Sequence, residues 1–167
     1  VRDDAYVKAL PDNARLTLDN GQVVTGAEVK EAWAKADFVV NDTGTAYANG
    51  TTRGEANYNN GDPVVSMNID NISTYNLSPG GVDYLPLHEV AHVTADQRSD
   101  YAALQGGEGG YTAAEAAAFE ARASDIARAI TEYSGGTTLA DDGGRYSPGH
   151  PTFQEPEPPV PPGGEIP

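Results

Sequence analysis

Two of the three histidines in this chain of 167 residues stand four positions apart in an otherwise apolar run, Leu85-Pro86-Leu87-His88-Glu89-Val90-Ala91-His92. In a helix, residues i and i+4 lie one above the other on the same face, so the two imidazoles project side by side, close enough to share one cation. Glu89 follows His88 by about 100° around such a helix, which sets its carboxylate beside the imidazole pair rather than in line with it. Two imidazoles and a carboxylate are costly to bury in a core segment unless they have a common partner. The pattern therefore points to a metal ion, with Glu89 as the base that takes a proton from water activated by that ion. The alternative is a helix with two chance histidines and a surface glutamate.

The chain contains no cysteine, which removes disulfides, thiolate metal sites and thiol nucleophiles together. Any metal must be held by imidazole and carboxylate groups, a donor set that suits Zn2+. A catalytic zinc takes three protein ligands and keeps one position open, so a third ligand has to come from elsewhere in the chain.

Local signals outline the surrounding elements. Arg15-Leu16-Thr17-Leu18 and Gln22-Val23-Val24-Thr25 flank Asp19-Asn20-Gly21, a hairpin signature over residues 14–25. Thr25 and Glu28 form a capping box that opens a helix running to about Ala36. Phe38-Val39-Val40 reads as a buried strand and Pro63 to Ile69 as a longer one, with a further hairpin arm near Glu55 to Asn59. Asp83 as N-cap, with Pro86 in the first turn, predicts the histidine-bearing helix over 84–97. A glycine-rich loop, Gln105 to Gly110, leads to a second capping box, Thr112 with Glu115, and to an Ala-rich helix that Gly135-Gly136 stops after Tyr133. Phe119, Ala123, Ile126 and Ile130 share one face of that helix. The expected class is α+β: a small, mostly antiparallel sheet packed on the two-histidine helix and on the Ala-rich helix. Residues 1–150 form the domain, and 151–167 a Pro-rich tail or linker.

The His-Glu-x-x-His helix, followed by a second helix bearing Glu120-Ala121-Arg122-Ala123-Ser124-Asp125, resembles the gluzincin metallopeptidases typified by thermolysin. The metzincin continuation, a glycine three and a histidine six residues after the second histidine, is ruled out by Ala95 and Arg98. The gluzincin resemblance covers about residues 63–133. It implies a zinc metalloendopeptidase in which Zn2+ is held by His88, His92 and Glu120 and Glu89 acts as general base on a peptide or protein substrate. Glu115, which also caps its helix, and the aspartates Asp96 and Asp100 remain alternatives for the third ligand. The spacer between His92 and Glu120 is longer than in thermolysin, and the glycine-rich stretch offers the extra loop. In that family an acidic residue one turn after the ligand glutamate orients a histidine. Here Ser124 occupies the position, and Asp125 is a candidate substitute. The family also uses an edge strand to receive an extended peptide, for which Val64 to Ile69 matches in position, as it equally matches an ordinary core strand. The donor for the developing oxyanion is sought among Tyr101, Tyr111, Tyr133, Tyr146 and His150.

Charge narrows the partners. With 25 acidic against 10 basic residues the formal charge is −15, a field that repels phosphate backbones and anionic lipid, so neither nucleic acid nor a membrane is expected as a partner. No apolar run approaches the roughly 18 to 20 residues that span a bilayer. Acidity, 19 glycines and the lack of cysteine fit a secreted bacterial exoprotein or effector. The opening Val1 suggests a fragment or a processed chain. Asn41-Asp42-Thr43, Asn49-Gly50-Thr51 and Asn71-Ile72-Ser73 match glycosylation acceptors, as Asn-rich loops often do, and Asp141-Asp142-Gly143 lacks the ordered spacing of a calcium loop. The second functional reading is a non-catalytic metal-binding module of a larger acidic secreted protein. A third is an effector that cuts a single host protein.

Overall fold

The computed structural model describes residues 2–40, 54–59, 62–67, 79–95, 97, 112–136 and 151–155. The glycosylation-type triplets, the glycine-rich loop, Asp96, Asp100, Tyr101, Tyr111, Asp141 to Gly143, Tyr146 and His150 lie outside the described residues.

The chain opens with a helix that no sequence signal announced, α1 (Arg2–Ala9), with Asp3 and Asp4 in its first turn and Lys8 in its last, the charge order that complements the helix dipole. Strands β1 (Arg15–Thr17) and β2 (Val23–Thr25) then form the expected antiparallel hairpin, with the buried pair Leu16 and Val24 directly opposite. Its corner needs Gly21 at φ +85°, a left-handed conformation that glycine adopts without strain. Helix α2 (Gly26–Lys35) starts at the predicted Thr25–Glu28 capping box. Its first two amides donate to the carbonyls of Ala14 and Asp12. The loop lies so close that a Cβ at Gly26 would come within 1.9 Å of the Pro11 carbonyl oxygen.

Strands β3 (Asp37–Val40), β4 (Gly54–Asn59) and β5 (Asp62–Met67) form a second sheet in the order β3-β5-β4. β5 runs parallel to β3 and antiparallel to β4. The fold is thus α+β, and among the described residues there are two small sheets rather than one, with one parallel pairing among three. Two strand expectations are corrected. Val64 to Met67 lie in the central strand, paired on both sides, so the edge reading fails there, and residues 68 and 69 lie outside the described residues. Phe38 is 40% exposed because β3 is an edge strand, and its ring leans on Trp33 at 4.9 Å instead of entering the core.

Helix α3 (Pro79–His92) begins and ends five residues earlier than predicted. Asp83 therefore lies inside the helix and Pro86 in its interior, not in a first turn. Pro79 takes the first helical position, where a missing N–H costs nothing. Pro86 forfeits one backbone bond, and the burial of its ring offsets that loss. After His92 the backbone tightens: Val93 and Thr94 donate to the carbonyls of Val90 and Ala91, and the Thr94 hydroxyl donates to Ala91 as well. Helix α4 (Ala113–Tyr133) opens on the Thr112–Glu115 box. It closes through Gly135 at φ +74°, with Gly136 and Gly135 donating back to the carbonyls of Thr131 and Glu132.

α3 is the centre of the molecule. Leu87 and Ala91 join the main core with Val7, Leu16, Val29 and Ile126, while Val90 and Val93 face a second cluster with Ala32 and Val65. Two apolar faces leave a third for His88 and His92, and α4 packs along it. Residues 151–155, at the head of the Pro-rich segment, also join the domain. Gln154 exchanges both backbone bonds with Arg15, and Phe153 is buried in the main core. Among the described residues no helix is long and apolar enough to cross a membrane.

Candidate metal centre

On α3 the i, i+4 spacing delivers His88 and His92 to one stripe. On α4 the same spacing puts Glu120 and Ser124 on the stripe beside the core-facing Phe119, Ala123 and Ala127. Ala91, Ala123 and Ala127 are all buried small residues that let the two helices approach. The result is a cluster of three donor groups. His88 Nε2 lies 3.1 Å and His92 Nε2 3.5 Å from Glu120 Oε2, and the two Nε2 atoms are 3.2 Å apart. Donor atoms around a tetrahedral ion with bonds of about 2.05 Å are separated by about 3.3 Å, a value the three distances bracket. Two imidazole lone pairs and a carboxylate oxygen converging at this spacing repel one another unless a proton or a cation lies among them. The donor set and its dimensions fit Zn2+.

Hydrogen bonds from His88 and then His92, with their charge, hold the Glu120 carboxyl far below the usual carboxylate range, against the opposing effect of burial. Glu120 thus presents an anion to the imidazole pair. The His88 and His92 side chains are 13% and 11% exposed, and that of Glu120 is 41% exposed, so the cluster opens to solvent on the α4 carboxylate's side.

Each ring is also held from behind. Ser124 Oγ lies 3.2 Å from His88 Nδ1, while His92 stacks on Phe119 with ring centroids 4.6 Å apart and planes 24° from parallel. Sequence reasoning missed both contacts. Phe119 is buried, as its place on the packing face predicts, and it backs His92 as well; the histidine-orienting role was sought at Asp125, which is buried one position further round the helix, whereas Ser124 itself meets His88. The signal was present: Ser124 is one turn beyond Glu120, where a group reaches the far side of the same ring.

Glu115 is not in the cluster. Its carboxylate accepts from the Thr112 amide and hydroxyl at 2.6 and 2.7 Å, closing the cap at the exposed helix start. Glu89 lies between the histidines in the chain and is only 6% exposed. Tyr133 is not an oxyanion donor for this cluster: its hydroxyl donates to Glu155 at 2.7 Å, and it lies about 20 Å along α4 from Glu120 at 1.5 Å per residue.

No protein-family model, no curated protein and no solved structure matches the chain.

Proposed function

We propose that the chain is a zinc-dependent metallopeptidase of gluzincin type, in which His88, His92 and Glu120 hold the metal and Glu89 is the general base. The observation that carries this reading is the convergence of three donor atoms at tetrahedral spacing. Zinc in such a site supplies Lewis acidity, enough to make water acidic near neutral pH. The chain's own part is to position and to move protons. His88 and His92 would hold the ion through Nε2 and Glu120 through a carboxylate oxygen. Glu89, adjacent to His88 on the helix, accepts a proton from the attacking water at its carboxylate and passes it to the departing amide nitrogen. Its burial keeps bulk water from competing for that proton. Peptides or proteins are the proposed substrates, and the acidic, cysteine-free composition supports work outside the cell, as an exoprotein or effector.

Zinc-loaded wild type and Glu89→Gln, assayed on a mixed peptide library, test the reading. The wild type should cleave. Glu89→Gln should keep its zinc and lose about 10²-fold or more in rate. Zinc bound stoichiometrically by a wild type that cleaves nothing would favour the non-catalytic module. Undiminished cleavage by Glu89→Gln would remove the base.

A further inference from the structure

The charge of this chain is unevenly shared along it. Residues 1–35 carry six acidic and five basic side chains, whereas residues 36–167, which hold all three donors of the cluster, carry 19 acidic and five basic ones. The first segment is close to neutral, and the second has a net −14 of the chain's −15. All three lysines belong to the first segment, and each is tied to a carboxylate: Lys8 to Asp4 and Lys30 to Asp12 at 2.7 Å, and Lys35 to Glu31. Helix α3 has no lysine or arginine. The two arginines of α4 are paired as well, Arg122 with Asp19 at 3.6 Å and Arg128 with Glu132 at 2.7 Å. The two helices that carry the cluster therefore offer no uncommitted cation to an anionic substrate, and the side on which the cluster opens is that of a carboxylate, Glu120. We infer that the substrates are cationic: peptides or protein segments rich in lysine and arginine, gathered at the site by the field of residues 36–167. This inference rests on the peptidase reading above and deepens it.

A bound Zn2+ changes the formal charge from −15 to −13, so the loaded chain keeps its sign. A field of one sign raises the local concentration of oppositely charged molecules and speeds their encounter by about 10- to 1,000-fold at low ionic strength. It reaches over the Debye length, about 30 Å at 0.01 M salt and about 3 Å at 1 M. Two features separate such steering from a pocket that grips one basic residue. Steering fades in salt, and it follows the number of charges on a peptide more than the position that holds them. Exposed carboxylates each hold a cation only weakly in water, so the selection acts on encounter and KM and leaves kcat alone. Ala117 is exposed, three residues before Glu120 on the same stripe of α4, so a charge placed there alters the field at the site without disturbing the core.

The test takes the core of a peptide that the zinc-loaded chain cleaves in a mixed library. That core is flanked on both sides by lysines, by glutamines or by glutamates, and kcat and KM are measured at ionic strengths of ~0.01 M and ~1 M. At low salt kcat/KM for the Lys-flanked peptide should exceed that for the Glu-flanked one by about 10-fold or more, through KM, and the two should converge to within about 2-fold at high salt. Ala117→Lys should keep its zinc and narrow the low-salt ratio by about 3-fold, while Ala117→Gln should leave that ratio unchanged. Equal cleavage of the three peptides at low salt, or a preference for glutamate, would overturn this inference and leave the peptidase standing. A lysine preference undiminished at high salt would overturn the field as its cause. A zinc-loaded chain that cleaves nothing in the library would overturn the peptidase and this inference together.

Discussion

In the hairpin and at the start of α2, polar groups are answered from two or three positions away: the Thr25 amide by Glu28, the Gln22 amide by Asn20. In the α3–α4 pair the answer comes from the other helix. His88 meets Glu120 and Ser124, which are 32 and 36 positions further along the chain. The first region spends its polar groups on building itself. The second holds them in a cross-helix cluster that its packing does not require, since Leu87, Ala91, Ala123 and Ala127 already join the helices. Groups held against one another without a structural need are where chemistry is to be sought. Damage to the first region should therefore cost stability and spare the metal, and damage to the second should do the reverse.

His88→Ala should have the largest effect. Zinc affinity should fall on the order of 10³-fold or more, equivalent to about 4 kcal/mol, with the helical circular dichroism of the metal-free chain retained. Titration against a competing chelator reads the first quantity, and equal affinity to wild type would break the contrast. Gly26→Ala comes next, on the other side of it. A methyl forced against the Pro11 carbonyl should lower unfolding free energy by about 3 kcal/mol in urea, while whatever remains folded binds zinc with wild-type stoichiometry. Thr25→Ala opens one capping box and should cost about 1 kcal/mol in the same assay. The smallest change should come from Lys8→Ala, which breaks an exposed i, i+4 pair with Asp4 and should move stability by no more than about 0.5 kcal/mol.

The same division explains what could be read in advance. Both Thr-x-x-Glu boxes, the Asn20-Gly21 corner and the histidine pair are local patterns, complete within five residues, and their geometry follows from backbone periodicity. Glu115 could be set apart from Glu120 for the same reason, because Thr112 already claims it. What eluded the sequence is long-range. The parallel partner of β5, the return of Gln154 to Arg15 and the burial of Phe153 depend on which surfaces meet, and no spacing encodes that. α1 buries Val7 and the charged Asp3, with Tyr6 packed partly against the core, too few apolar positions to mark a helical stripe. Pro86 misplaced α3 because a proline reads as a helix start, whereas here a second proline, Pro79, holds that position. The donor atoms of the cluster sit on both sides of this boundary: the histidines are set by one helix, and Glu120 and Ser124 meet them only through packing.

The sharpest test compares Glu115 with Glu120, two glutamates five residues apart on α4. Wild type, Glu115→Ala and Glu120→Ala are loaded with zinc, dialysed and analysed for bound metal per chain. One zinc in the wild type and in Glu115→Ala, with none in Glu120→Ala, is the expected result. Zinc kept by Glu120→Ala, or a wild type that retains none, would contradict a metal held between α3 and α4.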